Sequence, residues 1–429
     1  MSPLRSKRVH VVVGMTLVLT ATGVAVTGSP ASAAAGVTTR VSSTSAGVAG
    51  TGPSDDSWAT SGGRYVGFSS EASNLVPGDT NFAEDVFLRD RSAGTTERIS
   101  VATDGTQGVY PSVRPRISAD GRYVVFESLS PNLVPADTNG RTDIFLRDRQ
   151  SRTTVRLSVA ANGTQAAGTS TNESISPDGR FVTVTSDAPN LVPGDTNGLS
   201  DVFLLDRRTG GLTLVSTNQA GQQGNSSSDS GIVSADGRYV VFESGASNLV
   251  PGDTNDVLDI FVKDMQTGAV RRVSVSNAGT QLAEGGSTPS VSEDGRYVTF
   301  IGQPMSEDSQ VYVRDLTLRK TTLVSVGADG RPGDFGAYGA TISGNGRYVA
   351  FTSGATTIVP GSPPFFNSYV RDLTTGVTTL VSLTYTGVPI MESTGDPQAT
   401  NAGVAFTSFA DNVVADTNGR TEQIYFHPL

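Results

Sequence analysis

Five polar loops of this chain carry two acidic residues and an asparagine at one fixed spacing. The first loop contains Asp79-Thr-Asn81 and ends four residues later at Asp85. The same Asp-x-Asn-x-x-x-Asp or Glu pattern recurs as Asp137/Asn139/Asp143, Asp195/Asn197/Asp201, Asp253/Asn255/Asp259 and Asp416/Asn418/Glu422. Three hard oxygen side chains on a short loop suit Ca²⁺, which accepts about six to eight oxygen ligands in irregular geometry. The pattern therefore predicts calcium binding at these loops.

A purely structural interpretation of the loops stays open. Asp and Asn side chains also hydrogen-bond the backbone of tight turns, so five similar loops can equally be five similar turns. The loops resemble the later part of the calcium-binding loops of integrin-type propellers, but proline stands at the first acidic position. Those prolines are Pro77, Pro135, Pro193 and Pro251. If calcium binds, dissociation constants of about 10⁻⁴ to 10⁻³ M are expected for an extracellular module.

The elements that position these loops belong to a long internal repeat. A Gly-Arg-aromatic step recurs six times, and a diverged seventh copy stands at Ala402-Gly403-Val404. The six glycines are Gly63, Gly121, Gly179, Gly237, Gly295 and Gly346. Successive copies lie 51 to 58 residues apart. Repeats of this length, built from short strands, are typical of the blades of a β-propeller.

One copy contains four segments with strand character. In the second copy these are residues 112–118, 122–127, 143–147 and 153–158, with an Asp-Gly hairpin turn between the first two. The Asp-x-Asn loop connects the second segment to the third. A single blade leaves bare strand edges, so neighbouring blades must stack on it. The sequence therefore predicts an all-β fold, a seven-bladed β-propeller with four antiparallel strands per blade.

The two ends of the chain are predicted to share the last blade. The seventh copy stops after its third strand, residues 423–426, whereas residues 38–42 match the fourth strand of other copies, such as residues 95–100. We therefore expect the N-terminal strand to complete the last blade in a 3+1 closure. A disordered N-terminal tail is the alternative.

Residues 1–33 have the features of a secretory signal peptide. Three basic residues precede an uncharged apolar run from Val11 to Val26, and small residues fit cleavage near Ala33 or Ala35. The run is shorter than the roughly 20 residues that span a bilayer, so we expect no stable membrane insertion; a retained anchor is the alternative. We predict a secreted protein in which residues 34–429 form one propeller domain.

The amino-acid composition limits the classes of partner that the protein is expected to bind. The chain has 31 basic and 41 acidic residues, a net charge of −10, and no cysteine. Residues 1–33 carry three of the basic side chains and no acidic one, so the remainder has a net charge of −13. Nucleic acids bind basic surfaces, so we expect no nucleic-acid partner. Without cysteine, neither disulfides nor thiol chemistry contribute to stability or function.

The repeat resembles a known family. The segment Ser118-Ala-Asp-Gly-Arg-Tyr-Val-Val-Phe126, followed by Asp143-Ile-Phe-Leu-Arg-Asp148, is similar to the WD40-like (PD40) repeats of TolB-like propellers, and this resemblance covers essentially the whole mature chain. Members include a periplasmic scaffold protein, lyases of pectic fragments and the propeller caps of prolyl peptidases, so the resemblance implies a fold rather than one function. The lyases use histidines around a metal, whereas this chain has only His10 and His427.

Two functions follow as expectations. The first is a secreted, non-catalytic propeller, a monomer, that binds a protein partner or a surface glycan through its loop face and is stabilised by calcium. The adjacent aromatics Phe365 and Phe366 on the sixth loop are candidates for such contacts. The second is a glycoside hydrolase or lyase that uses carboxylates in the channel. We favour the first, because no isolated carboxylate pair stands apart from the repeated pattern.

Overall fold

The computed structural model describes residues 36–302, 308–417 and 419–429. This part of the chain contains 28 β-strands and no helix. The strands form seven four-stranded antiparallel sheets, and each sheet is one blade. The predicted seven-bladed propeller with four antiparallel strands per blade is confirmed.

Each blade supplies one strand to each of four positions, counted outward from the channel. The innermost strands are β2 (Ser54–Ala59), β6 (Ser112–Ile117), β10 (Ser170–Ile175), β14 (Ser228–Val233), β18 (Ser287–Val291), β22 (Ala337–Ile342) and β26 (Thr394–Ala399). The second strands are β3 (Tyr65–Ser70), β7 (Tyr123–Ser128), β11 (Phe181–Ser186), β15 (Tyr239–Ser244), β19 (Tyr297–Gly302), β23 (Tyr348–Ser353) and β27 (Gly403–Ser408).

The outer half of each blade follows the same order. The third strands are β4 (Asp85–Asp90), β8 (Asp143–Asp148), β12 (Asp201–Asp206), β16 (Asp259–Asp264), β20 (Gln310–Asp315), β24 (Asn367–Asp372) and β28 (Gln423–Pro428). The outermost strands are β5 (Thr95–Arg98), β9 (Thr153–Arg156), β13 (Gly211–Leu214), β17 (Val270–Arg272), β21 (Lys320–Leu323), β25 (Val377–Leu380) and, in blade 7, β1 (Thr39–Arg40).

The innermost strands surround a central channel. Each one packs beside the innermost strand of the next blade, and β26 packs beside β2. A backbone hydrogen bond ties each innermost strand to the preceding blade, as from Ser112 N to Glu84 O at 2.8 Å and from Ser54 N to Glu422 O at 2.9 Å. The residue just before each third strand therefore lies at the channel mouth, beside the next blade.

The Gly-Arg-Tyr step packs neighbouring blades together. Gly121 has a φ of 72°, and a Cβ at this position would lie 2.6 Å from the ring of Tyr65 in the preceding blade. Arg122 donates two hydrogen bonds to Asp148, at 3.0 and 2.8 Å, and its guanidinium lies 4.7 Å from the ring centre of Tyr123. Only glycine fits the first position, because it combines a left-handed backbone with a close ring contact.

The core lies within and between the blades. In blade 1 the buried rings of Phe68 and Phe87, on β3 and β4, stack with their centres 5.8 Å apart. Comparable aromatic pairs between the second and third strands recur in blades 2, 4, 5, 6 and 7. Alternation along each strand turns aliphatic side chains toward the next blade, so stacking blades buries both faces of each sheet.

At the N-terminus, β1 lies beside β28. Thr39 is opposite Phe426, Arg40 is opposite Tyr425, and Val41 N donates to the backbone of β28 at 2.8 Å. The regular strand is shorter than the predicted residues 38–42, although Val41 is fully buried. The predicted signal peptide lies outside the described residues. Within the described part of the chain, no helix is long and apolar enough to cross a bilayer.

Candidate functional site

The asparagine of each acidic loop ties the loop to the following strand. Asn81 Nδ2 donates to Asp85 Oδ2 at 3.0 Å and to Gly108 O at 2.8 Å, while its Oδ1 accepts from Ala83 N at 3.3 Å. The same two donated bonds recur at Asn139, Asn197 and Asn255. These contacts are those of turn-stabilising side chains.

The last aspartate of the motif is buried at the start of the third strand. Asp85 Oδ1 accepts a hydrogen bond of 2.5 Å from Ser100 Oγ, which follows the outermost strand. Equivalent serine bonds reach Asp143, Asp201 and Asp259. Burial raises the pKa of these three carboxyls. A buried carboxylate of this kind needs a compensating positive charge or a proton.

An arginine on the outermost strand supplies that charge in three blades. Arg98 Nη1 lies 3.2 Å from both Asp79 Oδ1 and Asp85 Oδ2. Arg156 in blade 2 and Arg272 in blade 4 bridge the corresponding pairs, at 3.2 to 3.6 Å. Those pairs are Asp137/Asp143 and Asp253/Asp259. The guanidinium lies between the two carboxylates that the pattern assigned to calcium, and calcium at these three loops stays a prediction.

Blade 3 keeps both aspartates but lacks the arginine. Leu214 pairs with β12 at the register position where Arg98 pairs with β4. Asp195 Oδ1 accepts a 3.1 Å bond from Gln223, whereas Asp195 Oδ2 is buried and has no hydrogen-bond partner in the described structure. Asp201 is fully buried. Blade 3 therefore combines two buried carboxylates with no ion-pair partner among the described residues.

The loop of blade 7 corrects the predicted alignment. The sequence spacing put Glu422 in the place of Asp85, the residue opposite Ser70 in blade 1. The register shows Gln423 in that place, opposite Ser408. The loop has the same length as in blade 1, but Asp416 lies one residue nearer the second strand than Asp79 does. Glu422 therefore corresponds to the residue before the third strand. Its side chain therefore belongs to the channel mouth.

The remaining predicted ligands of blade 7 are not brought together in the described structure. Asp416 pairs with Arg40 of β1, and its side chain is 63% exposed. Asn418 lies outside the described residues. Across the described ranges, no group of three or more histidine, aspartate or glutamate side chains is arranged to hold a metal ion.

A second acidic group, which the sequence analysis did not identify, lies at the channel mouth between blades 7 and 1. We call it the acidic mouth; its members are Asp55, Asp56, Glu84, Asp396 and Glu422. The first two lie on β2, the fourth lies on β26, and the two glutamates immediately precede β4 and β28. A β-bulge interrupts β2 and β26 here, and Asp56 and Asp396 have φ values of 47° and 44°. The same left-handed position recurs on the innermost strands of four other blades, so this backbone conformation belongs to the repeat.

Burial and repulsion between carboxylates raise the pKa of three residues of the acidic mouth. Burial, followed by the proximity of Asp55, raises the pKa of Glu422 to about 7. Glu84 and Asp55 share a hydrogen bond; burial and repulsion from neighbouring carboxylates raise the pKa of both. Asp55 Oδ1 is buried without a hydrogen-bond partner in the described structure. A cation bound at this point would relieve the repulsion and ionise the carboxyls.

The acidic mouth breaks the sevenfold repeat. The residue before the third strand is acidic only in blades 1 and 7; elsewhere it is Thr142, Ser200, Leu258, Ser309 or Phe366. At the left-handed position of the innermost strand, four other blades have Arg114, Ser230, Thr288 and Gly339. The expectation that no carboxylate pair stands apart from the repeat is wrong. Aligning the residues before each third strand would have identified Glu84 and Glu422.

An aromatic cluster adjoins the acidic mouth on blade 6. The ring of Phe366 packs edge-on against Phe335 at 5.8 Å and Tyr338 at 5.9 Å between centres. The carbonyl of Phe366 accepts a 2.7 Å backbone bond from β26, two residues before Asp396. Phe365 is 37% exposed beside it. The predicted contact loop therefore lies next to the carboxylates rather than apart from them.

Solved structures resemble this chain, although no protein-family model and no curated protein matches it. The β-propeller domain of the Trilobed protease from Pyrococcus furiosus, described as having an open velcro topology, matches with a TM-score of 0.53 at 15% identity, over 87% of this chain and 93% of that chain. An oligogalacturonate lyase in complex with manganese matches with a TM-score of 0.52 at 14% identity, over 86% and 87%. The described histidine of this chain, His427, instead has its Nδ1 2.9 Å from Thr38 Oγ1.

Longer proteins are matched in part. An acylaminoacyl peptidase from Pyrococcus horikoshii matches with a TM-score of 0.52 at 13% identity, over 88% of this chain and 51% of that chain. TolB from Acinetobacter baumannii matches with a TM-score of 0.40 at 14% identity, over 81% and 60%. This chain thus spans 60% of that TolB and about half of that peptidase. At these identities the likeness shows the fold alone: the chain is similar to β-propellers.

Proposed function

We propose that this protein is a secreted, non-catalytic binding propeller whose acidic mouth receives a positively charged segment of a protein partner. The observation that carries the proposal is the raised pKa of Glu84, Asp55 and Glu422, whose strongest charged neighbours are other carboxylates. Carboxylates buried together cost free energy unless a cation pairs with them. A lysine or arginine side chain from a partner supplies that cation.

The aromatic cluster supports a peptide segment rather than a simple ion. Cations bind over aromatic faces, and exposed rings also bury apolar side chains of a partner. Phe365 and Phe366 would contact the segment while Asp396, on the adjacent innermost strand, faces its charge. The net charge of −13 beyond residue 33 attracts basic partners and repels nucleic acids.

A cationic peptide tests the proposal directly. We expect a fluorescent hepta-lysine peptide to bind the wild-type protein at low ionic strength and to lose affinity as salt increases, because exposed charges are screened. The triple variant D55N/E84Q/E422Q should bind at least tenfold more weakly. The matched control D104N/E284Q/D329N removes three exposed carboxylates from loops of the same face and should bind like the wild type. Equal loss of affinity in both variants would contradict a defined site.

A second function is favoured by the same carboxyls. Glycosidases use a carboxylic acid with a raised pKa as the proton donor, and burial raises the pKa of Glu84. In that case the propeller would cleave a polysaccharide at the channel mouth. A panel of polysaccharides distinguishes the two functions: release of reducing ends that is abolished by E84Q supports the enzyme, whereas absence of product from every polysaccharide supports the non-catalytic propeller.

A further inference from the structure

Two features of the blades vary together. A carboxylate pair joining loop and third strand occurs in blades 1, 2, 3 and 4, while blades 5 and 6 have the neutral Gln310 and Asn367 at the start of that strand. The facing position on the outermost strand is arginine in blades 1, 2, 4 and 7, and leucine in the others. The leucines are Leu214, Leu323 and Leu380. Arginine accompanies a carboxylate pair in blades 1, 2 and 4, and in blade 7 Arg40 faces the single carboxylate Asp416. Leucine accompanies neutral residues in blades 5 and 6, so blade 3 alone combines the carboxylate pair with leucine.

Blade 3 is the exception, since it has the carboxylates of one group and the leucine of the other. Asp195 is only 7% exposed, and its Oδ2 atom has no hydrogen-bond partner in the described structure. In blades 1 and 4 an oxygen of the corresponding aspartate, Asp79 or Asp253, forms an ion pair with a guanidinium nitrogen 3.2 Å away. The orphaned oxygen therefore points to a missing positive charge in the space that arginine fills elsewhere.

We propose that blade 3 binds one calcium ion between Asp195 and Asp201, where blades 1, 2 and 4 have a guanidinium. Two carboxylates match the charge of a divalent cation, and the available ligands are oxygens, which calcium prefers to nitrogen or sulfur ligands. Leu214 offers no donor that competes with the ion. With only two carboxylate ligands, amide oxygens and water complete the coordination, which fits a weak site rather than a tight one.

Calcium titration of the full chain, after chelator treatment, tests this site. Calorimetry should find one calcium per wild-type molecule, with a dissociation constant of about 10⁻⁴ to 10⁻³ M. Leu214→Arg restores the guanidinium of the other blades and should weaken binding at least tenfold. Asp195→Asn should also abolish binding. Because this variant removes the charge of a carboxylate that has no ion-pair partner, its melting temperature in chelator should not fall below that of the wild type. Magnesium should bind more weakly, since it demands near-octahedral geometry.

A substitution that removes the arginine from blade 1 tests whether its absence is what permits calcium to bind in blade 3. Arg98→Leu gives blade 1 the blade 3 arrangement, so calcium should raise its melting temperature more than that of the wild type, and a second calcium should bind. Absence of calcium binding by the wild type at 10-fold the upper dissociation constant, about 10 mM, would overturn the proposal. Full binding by Leu214→Arg would also overturn it, because calcium would then occupy another loop.

Discussion

Buried carboxylates occur both in the acidic loops of blades 1, 2 and 4 and in the acidic mouth, but their surroundings differ. In the loops, each buried aspartate pair faces an arginine from its own blade, as Asp79 and Asp85 face Arg98. At the mouth, Glu84, Asp55 and Glu422 face mainly one another, and their pKa values rise. Carboxylates that pair with an arginine of the same chain stabilise the fold, whereas carboxylates that repel one another are available to an external cation.

The largest expected effect comes from opening the ring at the blade that carries part of the mouth. Deleting residues 36–45 removes β1, uncovers the edge of β28 and exposes the contacts of Val41 and Ser42, both fully buried. From lost apolar burial and hydrogen bonds we expect the free energy of unfolding to fall by about 5 kcal/mol or more. Urea denaturation measures it, with a chain that starts at residue 36 as the control. An unchanged midpoint would show that β1 contributes nothing to closure.

Removing an arginine from a loop should be the next largest effect. Arg98→Ala leaves Asp79 and Asp85 as buried charges without a partner, and we expect a loss of about 3–5 kcal/mol in the free energy of unfolding, measured in chelator. The control is Arg122→Ala, because the Arg122 side chain is 38% exposed in its pair with Asp148. That change should lower the free energy of unfolding much less, because solvent screens an exposed ion pair. Similar losses in the two variants would remove the distinction between buried and exposed pairs.

Neutralising two carboxyls of the acidic mouth should raise the free energy of unfolding rather than lower it. The folded-state pKa of Glu422, about 7, lies above the ordinary value of 4.5, so the folded protein holds more protons than the unfolded chain. Its contribution to stability is complete below about pH 4.5 and is lost as pH rises through 7. The variant E84Q/E422Q does not titrate there, so it should exceed the wild type by about 1–3 kcal/mol at pH 8. The advantage should shrink toward pH 5; a constant difference would contradict the pKa assignment.

The smallest effect concerns the aromatic neighbour of the mouth. Phe365→Ala removes a ring that is 37% exposed, so the free energy of unfolding should change by less than about 1 kcal/mol. Binding of the hepta-lysine peptide should weaken by about two- to fivefold, the range of an exposed cation–π contact. Fluorescence anisotropy measures the affinity, with Phe409→Ala, another half-exposed ring, as the control. Equal affinity in both variants would exclude Phe365 from the contact.

The blade architecture was predictable because the Gly-Arg-Tyr motif packs neighbouring blades together. Gly121 must accept the ring of Tyr65, and this contact repeats with the chain period, so the repeat itself reports the blade count. The sequence also shows an Asp-x-Asn loop in each of blades 1 to 4, and calcium binding there stays a prediction. Their arginine partners were missed although Arg98, Arg156 and Arg272 each follow the first loop aspartate by the same 19 residues. Comparing charge across the copies would have revealed the pairing and the exception at Leu214.

The acidic mouth was harder to predict from the sequence. Asp55 and Glu84 lie in the first copy and Asp396 and Glu422 in the last, so only the packing of β26 beside β2 brings them together. Glu422 was also misassigned, because Asp416 lies one residue nearer the second strand than Asp79 does. Glu422 therefore has the spacing of the motif, whereas Gln423 has the structural position of Asp85. A search for repeated motifs overlooks a site that exists because two copies differ from the rest.

Proton release on binding tests most directly whether the acidic mouth is a cation-binding site. Calorimetric titration of the wild-type protein with the hepta-lysine peptide at pH 7, in buffers of different ionisation enthalpy, counts the protons exchanged. A cation lowers the pKa of the protonated Glu84 and Glu422 carboxyls, so we predict release of about one proton per peptide, and none from E84Q/E422Q. Binding without proton release, or equal release from that variant, would contradict the assignment of the mouth as the binding site.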